Sequence, residues 1–266
     1  MLRIAHLSDL HFGAHDPKLI EPLCGAIKDA KPDLVAITGD ITQFGKKREF
    51  AQARRFVDRL PAPALVAPGN HDTPYFNLVS RLFHPFSRFE RCFDSRNLGH
   101  HVSPALCAVA VNTARGAQFR LDWSLGVADP DDVDGAADTL RTCSDTALRV
   151  VLCHHPLMEA PGSPMRTKTL GGTRAAQLFH DAGVDAVLSG HIHTRFAAPY
   201  PIGDGKTYAV GAATALSTRT RGEAPSFNLL TVSGHTLGFR VMAWSGSGFS
   251  EAGAEERRLR TAIRAA

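Results

Sequence analysis

The chain has 266 residues, 44% hydrophobic and 21% charged, with a formal net charge of +4. This describes a folded globular protein with a substantial core, and it excludes fibrous and disordered classes. The modest positive charge is spread along the chain, so it accommodates an anionic substrate without giving a nucleic-acid signal.

Leu2 to Leu7 reads as a short strand. Asp16-Pro17 then supplies a cap with proline at the first helical position, and Leu19, Ile20, Leu23 and Ile27 follow at helical spacing until Pro32-Asp33 ends the helix. Leu34 to Ile37 is a second strand, and Arg48 to Leu60 a helix with Phe50, Ala53, Val57 and Leu60 on its inner face. Ala64 to Ala67 is a third strand. This alternation calls for parallel strands joined by right-handed crossovers.

Past Asp72 the pattern changes. Phe76, Val79, Leu82, Phe83, Phe86, Phe89 and Phe93 recur every three or four residues, with Arg81, Arg88, Arg91 and Arg96 between them and Pro85 as an interruption. Residues 73–101 therefore read as an aromatic and basic helical insertion beside the site. The favoured reading packs the Phe face on the domain and leaves the arginines solvated. The sharper reading is a cap whose arginines draw in a phosphate and whose aromatics meet a base, an acyl chain or a partner subunit.

The second half opens on a strand, Cys107 to Asn112, and a polar stretch with a short helix around Thr139 and Leu140. Arg149 to Cys153 is a strand, Gly171-Gly172-Thr173 caps a helix through Gln177, Leu178 and Phe179, and Asp185 to Leu188 is a strand. Thr207 to Gly211, Phe227 to Val232 and Leu237 to Trp244 come next without long helices and read as an antiparallel meander. Periodicity thus supports an α/β class with an antiparallel extension, in one domain over 1–250. Residues 251–266 read as a charged tail, a frayed helix or disordered end.

The chemistry lies in five short clusters: Asp9-Leu10-His11, Gly39-Asp40, Gly69-Asn70-His71-Asp72, His154-His155-Pro156 and Gly190-His191-Ile192-His193. Most come directly after a strand, and a parallel sheet presents the loops at its strands' carboxyl ends along one edge. Convergence there would suit two divalent cations, which clamp a phosphoryl group and lower the pKa of a bound water to about 7. Imidazole, carboxylate and one amide suit Mn, Fe, Zn, Co or Mg, and no thiolate asks for a softer ion. Asp-x-His and Gly-Asp are each weak signals, since a satisfied buried His or an ordinary turn explains them. Gly-Asn-His-Asp and Gly-His-x-His are more specific, and all five in order exceed what chance provides.

In this order the clusters resemble the calcineurin-like metallophosphoesterases, from Leu2 to about Trp244, and most closely the bacterial phosphodiesterases of cyclic nucleotides and glycerophosphodiesters. The resemblance implies a four-layer α/β/β/α sandwich, with Asp9, His11 and His193 on one metal, Asn70, His154 and His191 on a second, and Asp40 bridging. It further implies that His71 lies beside the metals, contacts a phosphate oxygen and assists the leaving group, with Asp72 orienting its ring. The implied activity is hydrolysis of a small phosphodiester, such as a 3',5'-cyclic nucleotide or a glycerophosphodiester, by a metal-held hydroxide near Asp40. Phosphomonoester hydrolysis, cleavage of a nucleoside-diphosphate-linked lipid and a non-catalytic scaffold on the same fold are the alternatives; a nuclease would carry basic elements that do not stand out here.

His155 adjoins a ligand, but the family pattern takes the His two places before the proline, so His155 reads as a supporting group. His6, His15, His84, His100, His101, His180 and His235 read as surface or satisfied core residues. Cys24, Cys92, Cys107, Cys143 and Cys153 are scattered and odd in number, which suggests free thiols in a reducing cytoplasm. Neither a signal peptide nor a membrane span is visible, since no run approaches the roughly 18 apolar residues required. The Phe-rich insertion offers a surface for a homo-oligomer.

Overall fold

The computed structural model describes residues 1–93, 99–159 and 169–263, and Arg96 of the insertion lies outside them. The described elements begin with β1 (Leu2–Leu7), α1 (Ile20–Ala30), β2 (Leu34–Thr38), α2 (Lys47–Val57), β3 (Ala64–Ala67), α3 (Leu78–Phe83) and α4 (Ser87–Phe93). They continue with β4 (His100–Val102), β5 (Leu106–Ala110), α5 (Pro130–Arg141), β6 (Leu148–Leu152), α6 (Gly172–Asp181), β7 (Ala186–Ser189), β8 (Phe196–Pro199), β9 (Tyr208–Gly211), β10 (Ser226–Trp244) and β11 (Phe249–Ile263). Two sheets result, ordered β11-β10-β1-β2-β3 and β4-β5-β6-β7-β9-β8.

Strand periodicity builds the layers. In β1, Leu2 and Ile4 face the second sheet while Ala5 and Leu7 face α1 and α2; in β5, Leu106 and Ala108 face inward while Cys107 and Val109 face α5 and α6. Leu23, Ile27, Phe50 and Ala53 cover the first sheet, and Val133, Leu140, Ala175 and Phe179 cover the second. The architecture is therefore α/β/β/α. Because each sheet is covered on both faces, its central strands read as largely apolar runs.

β1, β2 and β3 pair in parallel, as do β5, β6, β7 and β9. Their carboxyl ends lie along one edge, where ligand sites of parallel sheets collect. The Asp16 side chain accepts from the Lys18 N–H at 3.0 Å to start a short 3-10 turn before α1, and Lys31, left-handed at φ 49°, ends that helix.

Several expectations are corrected. The meander does not form: β9 joins the second sheet in parallel with β7, while Ser226–Trp244 is one strand antiparallel to β1. The charged tail is strand β11 through Ile263, paired antiparallel with β10; only Leu259 and Ile263 of it are buried, so an edge strand with exposed charges reads like a tail. The short helix near Thr139 is the 12-residue α5. Cys107 and Cys143 form a disulfide, because the outer face of β5 meets the chain leaving α5; Cys24, Cys92 and Cys153 are free. The compartment inferred from unpaired thiols loses that support.

The insertion divides in two. Helix α4 packs as an amphipathic element should, with Phe89 buried and Phe86 and Phe93 against the core. Helix α3 instead leaves Leu78, Val79, Leu82 and Phe83 exposed. No described helix is long and apolar enough to cross a membrane.

Candidate metal centre

Each cluster occupies the loop after a parallel strand: Asp9 and His11 after β1, Asp40 after β2, Asn70 and His71 after β3, His154 and His155 after β6, His191 and His193 after β7. The loops interlock through the main chain, with Asp9 N–H donating to Gly39 O at 3.1 Å, His11 N–H to Asp40 O at 2.9 Å and Gly190 N–H to His154 O at 2.9 Å. Asp9, His11, Asp40, His191 and His193 all take left-handed φ, between 46° and 69°. Asp and His tolerate that region better than bulkier residues, and such strain concentrates at functional sites. Two glycines give the loops room. A Cβ on Gly69 would lie 2.2 Å from Asp40 Oδ1, and one on Gly190 would lie 1.8 Å from Ser8 Oγ and 2.5 Å from Asp9 Oδ2.

Two donor sets result. Asp9 Oδ1 stands 3.1 Å from His193 Nε2 and 3.7 Å from His11 Nε2, and the two imidazole nitrogens are 3.5 Å apart. In the second set, His154 Nε2 is 3.2 Å from Asn70 Oδ1 and 3.3 Å from Asp40 Oδ2, with the His191 ring 5.2 Å from that of His154. Asp40 Oδ2 is also 3.8 Å from His11 Nε2, so this carboxylate faces both sets. All seven residues are buried, Asn70 least completely.

The polar accounting suits cations. Asp9 Oδ1 is buried without a hydrogen-bond partner, although it is surrounded by imidazoles. Ligand atoms 3.1–3.7 Å apart match the edges around an ion with bonds of about 2.0–2.2 Å. His154 Nδ1 donates to Thr38 O at 2.8 Å and His193 Nδ1 donates to Arg219 O at 2.7 Å, which leaves both Nε2 lone pairs aimed at the centre.

Charge is arranged to match. Burial alone would raise the Asp9 and Asp40 carboxyls, but His193 and His11 about the first and His154 and His71 about the second hold both well below the usual range. Burial disfavours a charged His154, yet the Asp40 carboxylate beside it carries that ring up to about 9. His191 is pushed down to about 3 by burial and by the His154 charge.

His155 is buried but committed elsewhere. Its Nε2 donates to Ser124 O at 2.8 Å and its Nδ1 accepts from Thr113 Oγ1 at 3.0 Å, so although its ring lies near His191 it has no free lone pair to offer. Asp72 does not orient the His71 ring. That ring donates from Nδ1 to Gln43 O at 2.8 Å, whereas Asp72 accepts from the N–H groups of Thr42 at 2.8 Å, Gly69 at 2.9 Å and Ile41 at 3.2 Å. It thereby ties the Asp40 loop to the Asn70 loop, and burial beside Asp40 raises its carboxyl to about 6. The His71 N–H donates to Asp40 Oδ1 at 2.8 Å.

Three participants escape a motif-based reading. Buried His6 bonds Thr38 Oγ1 at 3.0 Å, beneath the carbonyl that fixes His154. Arg219, after β9, faces His71. Beside Asn70 and His71 opens a cavity of about 340 Å³ that includes Tyr75, Arg81, Leu121 and Trp123. The Arg81 guanidinium lies over the rings of Trp123 and Tyr75, at 5.4 and 6.0 Å, and donates to Gly116 O at 2.7 Å. The signal for Arg219 is the parallel placement of β9, whose carboxyl end reaches the same edge as the other loops.

Residues 2–195 match the model of the calcineurin-like phosphoesterases. A probable cyclic nucleotide phosphodiesterase of a Synechococcus species is 28% identical over 207 residues, 73% of this chain and 74% of that protein. A glycerophosphodiester phosphodiesterase of Enterobacter lignolyticus is 34% identical over 82 residues, 26% of this chain and 29% of its own length. Among solved structures, yellow lupin purple acid phosphatase superposes with a TM-score of 0.66 at 14% identity, covering 97% of this chain and 53% of the lupin chain. GAP50, the anchor in the inner membrane complex of Plasmodium, superposes at 0.63 with 14% identity over 98% of this chain and 89% of its own. At such identities the two structures speak to the fold alone.

Proposed function

This chain belongs to the calcineurin-like phosphoesterase family and is a metal-dependent phosphoester hydrolase; from that premise we propose that it uses two metal ions to hydrolyse a small phosphodiester, such as a 3',5'-cyclic nucleotide or a glycerophosphodiester. Asp9, His11 and His193 would hold one ion, Asn70, His154 and His191 the other, and Asp40 would be shared. The observation that carries this reading is Asp40 Oδ2, 3.3 Å from His154 Nε2 and 3.8 Å from His11 Nε2. A carboxylate in that position belongs to two donor sets at once.

Bound there, divalent ions of the Mn, Fe, Zn, Co or Mg group would supply Lewis acidity and an activated water. The chain does the rest. Thr38 O and Arg219 O hold His154 and His193 in the ligating tautomer. Asp72 keeps the Asp40 and Asn70 loops in register. His71 is anchored by its Nδ1 on Gln43 O, with Nε2 accepting from Arg219 Nη1; once it has taken a proton from solvent at Nε2 it would pass that proton to a departing alkoxide. The cavity beside it would take one organic arm of the diester.

A second reading, cleavage of a nucleoside-diphosphate-linked lipid, is favoured by one feature: the exposed Leu78, Val79, Leu82 and Phe83 of α3 near that cavity. One panel separates the two. Metal-loaded protein should turn over cyclic nucleotides or glycerophosphodiesters well ahead of lipid diphosphates and phosphomonoesters, with about two metal equivalents per chain. A preference for the lipid diphosphate, or full activity with one equivalent, would refute the proposal.

A further inference from the structure

Arg219 occupies a position unusual for a surface cation. Its backbone is fixed at the metal centre: its carbonyl accepts from His193 Nδ1 at 2.7 Å, its N–H donates to Ser217 Oγ at 3.0 Å, and the neighbouring Thr218 donates twice to Ala14 O, from N–H at 3.0 Å and from Oγ1 at 2.9 Å. From that base the side chain reaches over the mouth of the site to the His71 ring, which packs edge-on against His11 at 4.9 Å; Nη1 lies 3.2 Å from His71 Nε2.

The His71 ring gives its Nδ1 proton to Gln43 O, so Nε2 is the acceptor and the guanidinium donates. The cation thus ends on an imidazole nitrogen rather than a carboxylate, at the mouth of a centre proposed to hold two more cations. Three positive groups converging on one space repel one another unless an anion lies among them. A guanidinium also presents its donors in a planar fork that matches two phosphoryl oxygens, which an ammonium cannot do.

We propose that Arg219 is a substrate-binding residue, whose guanidinium leaves His71 Nε2 to donate to the non-bridging oxygens of the phosphoryl group held at the metal centre. One movement serves two ends. The anion gains charged hydrogen bonds, and His71 Nε2 loses the donor that occupied it. This rests on the phosphodiesterase reading of the same site.

The test uses full-length, metal-loaded protein with inorganic phosphate as the probe, read both by calorimetry and by competition against a chromogenic diester. Arg219→Ala should weaken phosphate binding and lower kcat/KM roughly 10- to 100-fold, the usual scale for charged hydrogen bonds, with metal content unchanged. Arg219→Lys should fall between, keeping the charge but losing the fork. Arg258→Ala, which removes an exposed charge from the distant strand β11, should bind phosphate like the parent. Phosphate affinity of Arg219→Ala within twofold of the parent, a matching loss in Arg258→Ala, or loss of metal from Arg219→Ala would each overturn the proposal. If the parent binds phosphate through Arg219 but hydrolyses no diester, the functional reading fails instead. Only main-chain atoms of residue 219 support His193, so the alanine variant keeps that contact.

Discussion

Asp185 stands at the entrance to β7, the strand that carries His191 and His193, and its replacement by Asn tests the electrostatic picture away from any metal ligand. Only 5% exposed, its carboxylate accepts from the Arg149 N–H at 3.0 Å. Burial outweighs that bond and the charges of Arg260 and Arg149, and raises its pKa from 3.8 to about 6. Below 3.8 the folded and unfolded chains both hold the proton. Between 3.8 and about 6 the unfolded chain releases it and the folded chain keeps it, so stability falls as pH rises through that window. Above about 6 the full cost applies, about 3 kcal/mol at 1.36 kcal/mol per unit. Asn keeps an oxygen for the Arg149 N–H and carries no charge. Asp185→Asn should therefore melt roughly 5–10 °C above the parent at pH 8, with the advantage shrinking towards zero at pH 4. The assay is thermal unfolding of both proteins across this range, where every other titration cancels in the difference. A difference independent of pH, or one that grows as pH falls, would refute the reasoning.

Asp40→Ala or His154→Ala should abolish hydrolysis of a chromogenic phosphodiester and lower metal content, read by elemental analysis. His71→Ala should cut turnover by about 10²- to 10⁴-fold, the range for a lost general acid, with both metals retained; simultaneous loss of metal would contradict its role. Gly190→Ala drives a methyl into Ser8 Oγ and Asp9 Oδ2, and should lower stability by about 1–3 kcal/mol in denaturant titration while weakening metal binding. Chelation of the loaded protein should lower its Tm, because ions that bind only the folded chain stabilise it in proportion to ln(1 + [L]/Kd).

The donor residues were legible in the sequence because short motifs sit directly after apolar strands, and parallel pairing brings those loops to one edge. Two strands with exact ends, Leu2–Leu7 and Ala64–Ala67, were legible because their mostly buried, largely apolar residues form short runs bounded by polar or turn-forming residues. Other parts were hidden by physics that local pattern does not report. Asp72 sits beside His71 in the chain, but its carboxylate is drawn to the free N–H groups of Thr42 and Gly69. Strand β9 is only four residues long, and nothing in Tyr208–Gly211 distinguishes a parallel neighbour of β7 from a hairpin arm. Arg219 carries no motif, and its place depends on that pairing. The 15-residue β11 is an edge strand whose charged side chains look out of place until its backbone pairing with β10 is known.

The two-sided capture of the His155 ring bears on how robust this centre is to damage. Adjacent histidines suggest redundancy, in which one imidazole could take over when the other is lost. Here, recruiting the neighbour would break its bonds to Ser124 and Thr113 together and release the loop that carries Trp123 beside the cavity. On the proposed reading the pair is a division of labour, one ring for the ions and one for the wall, and neither would deputise for the other.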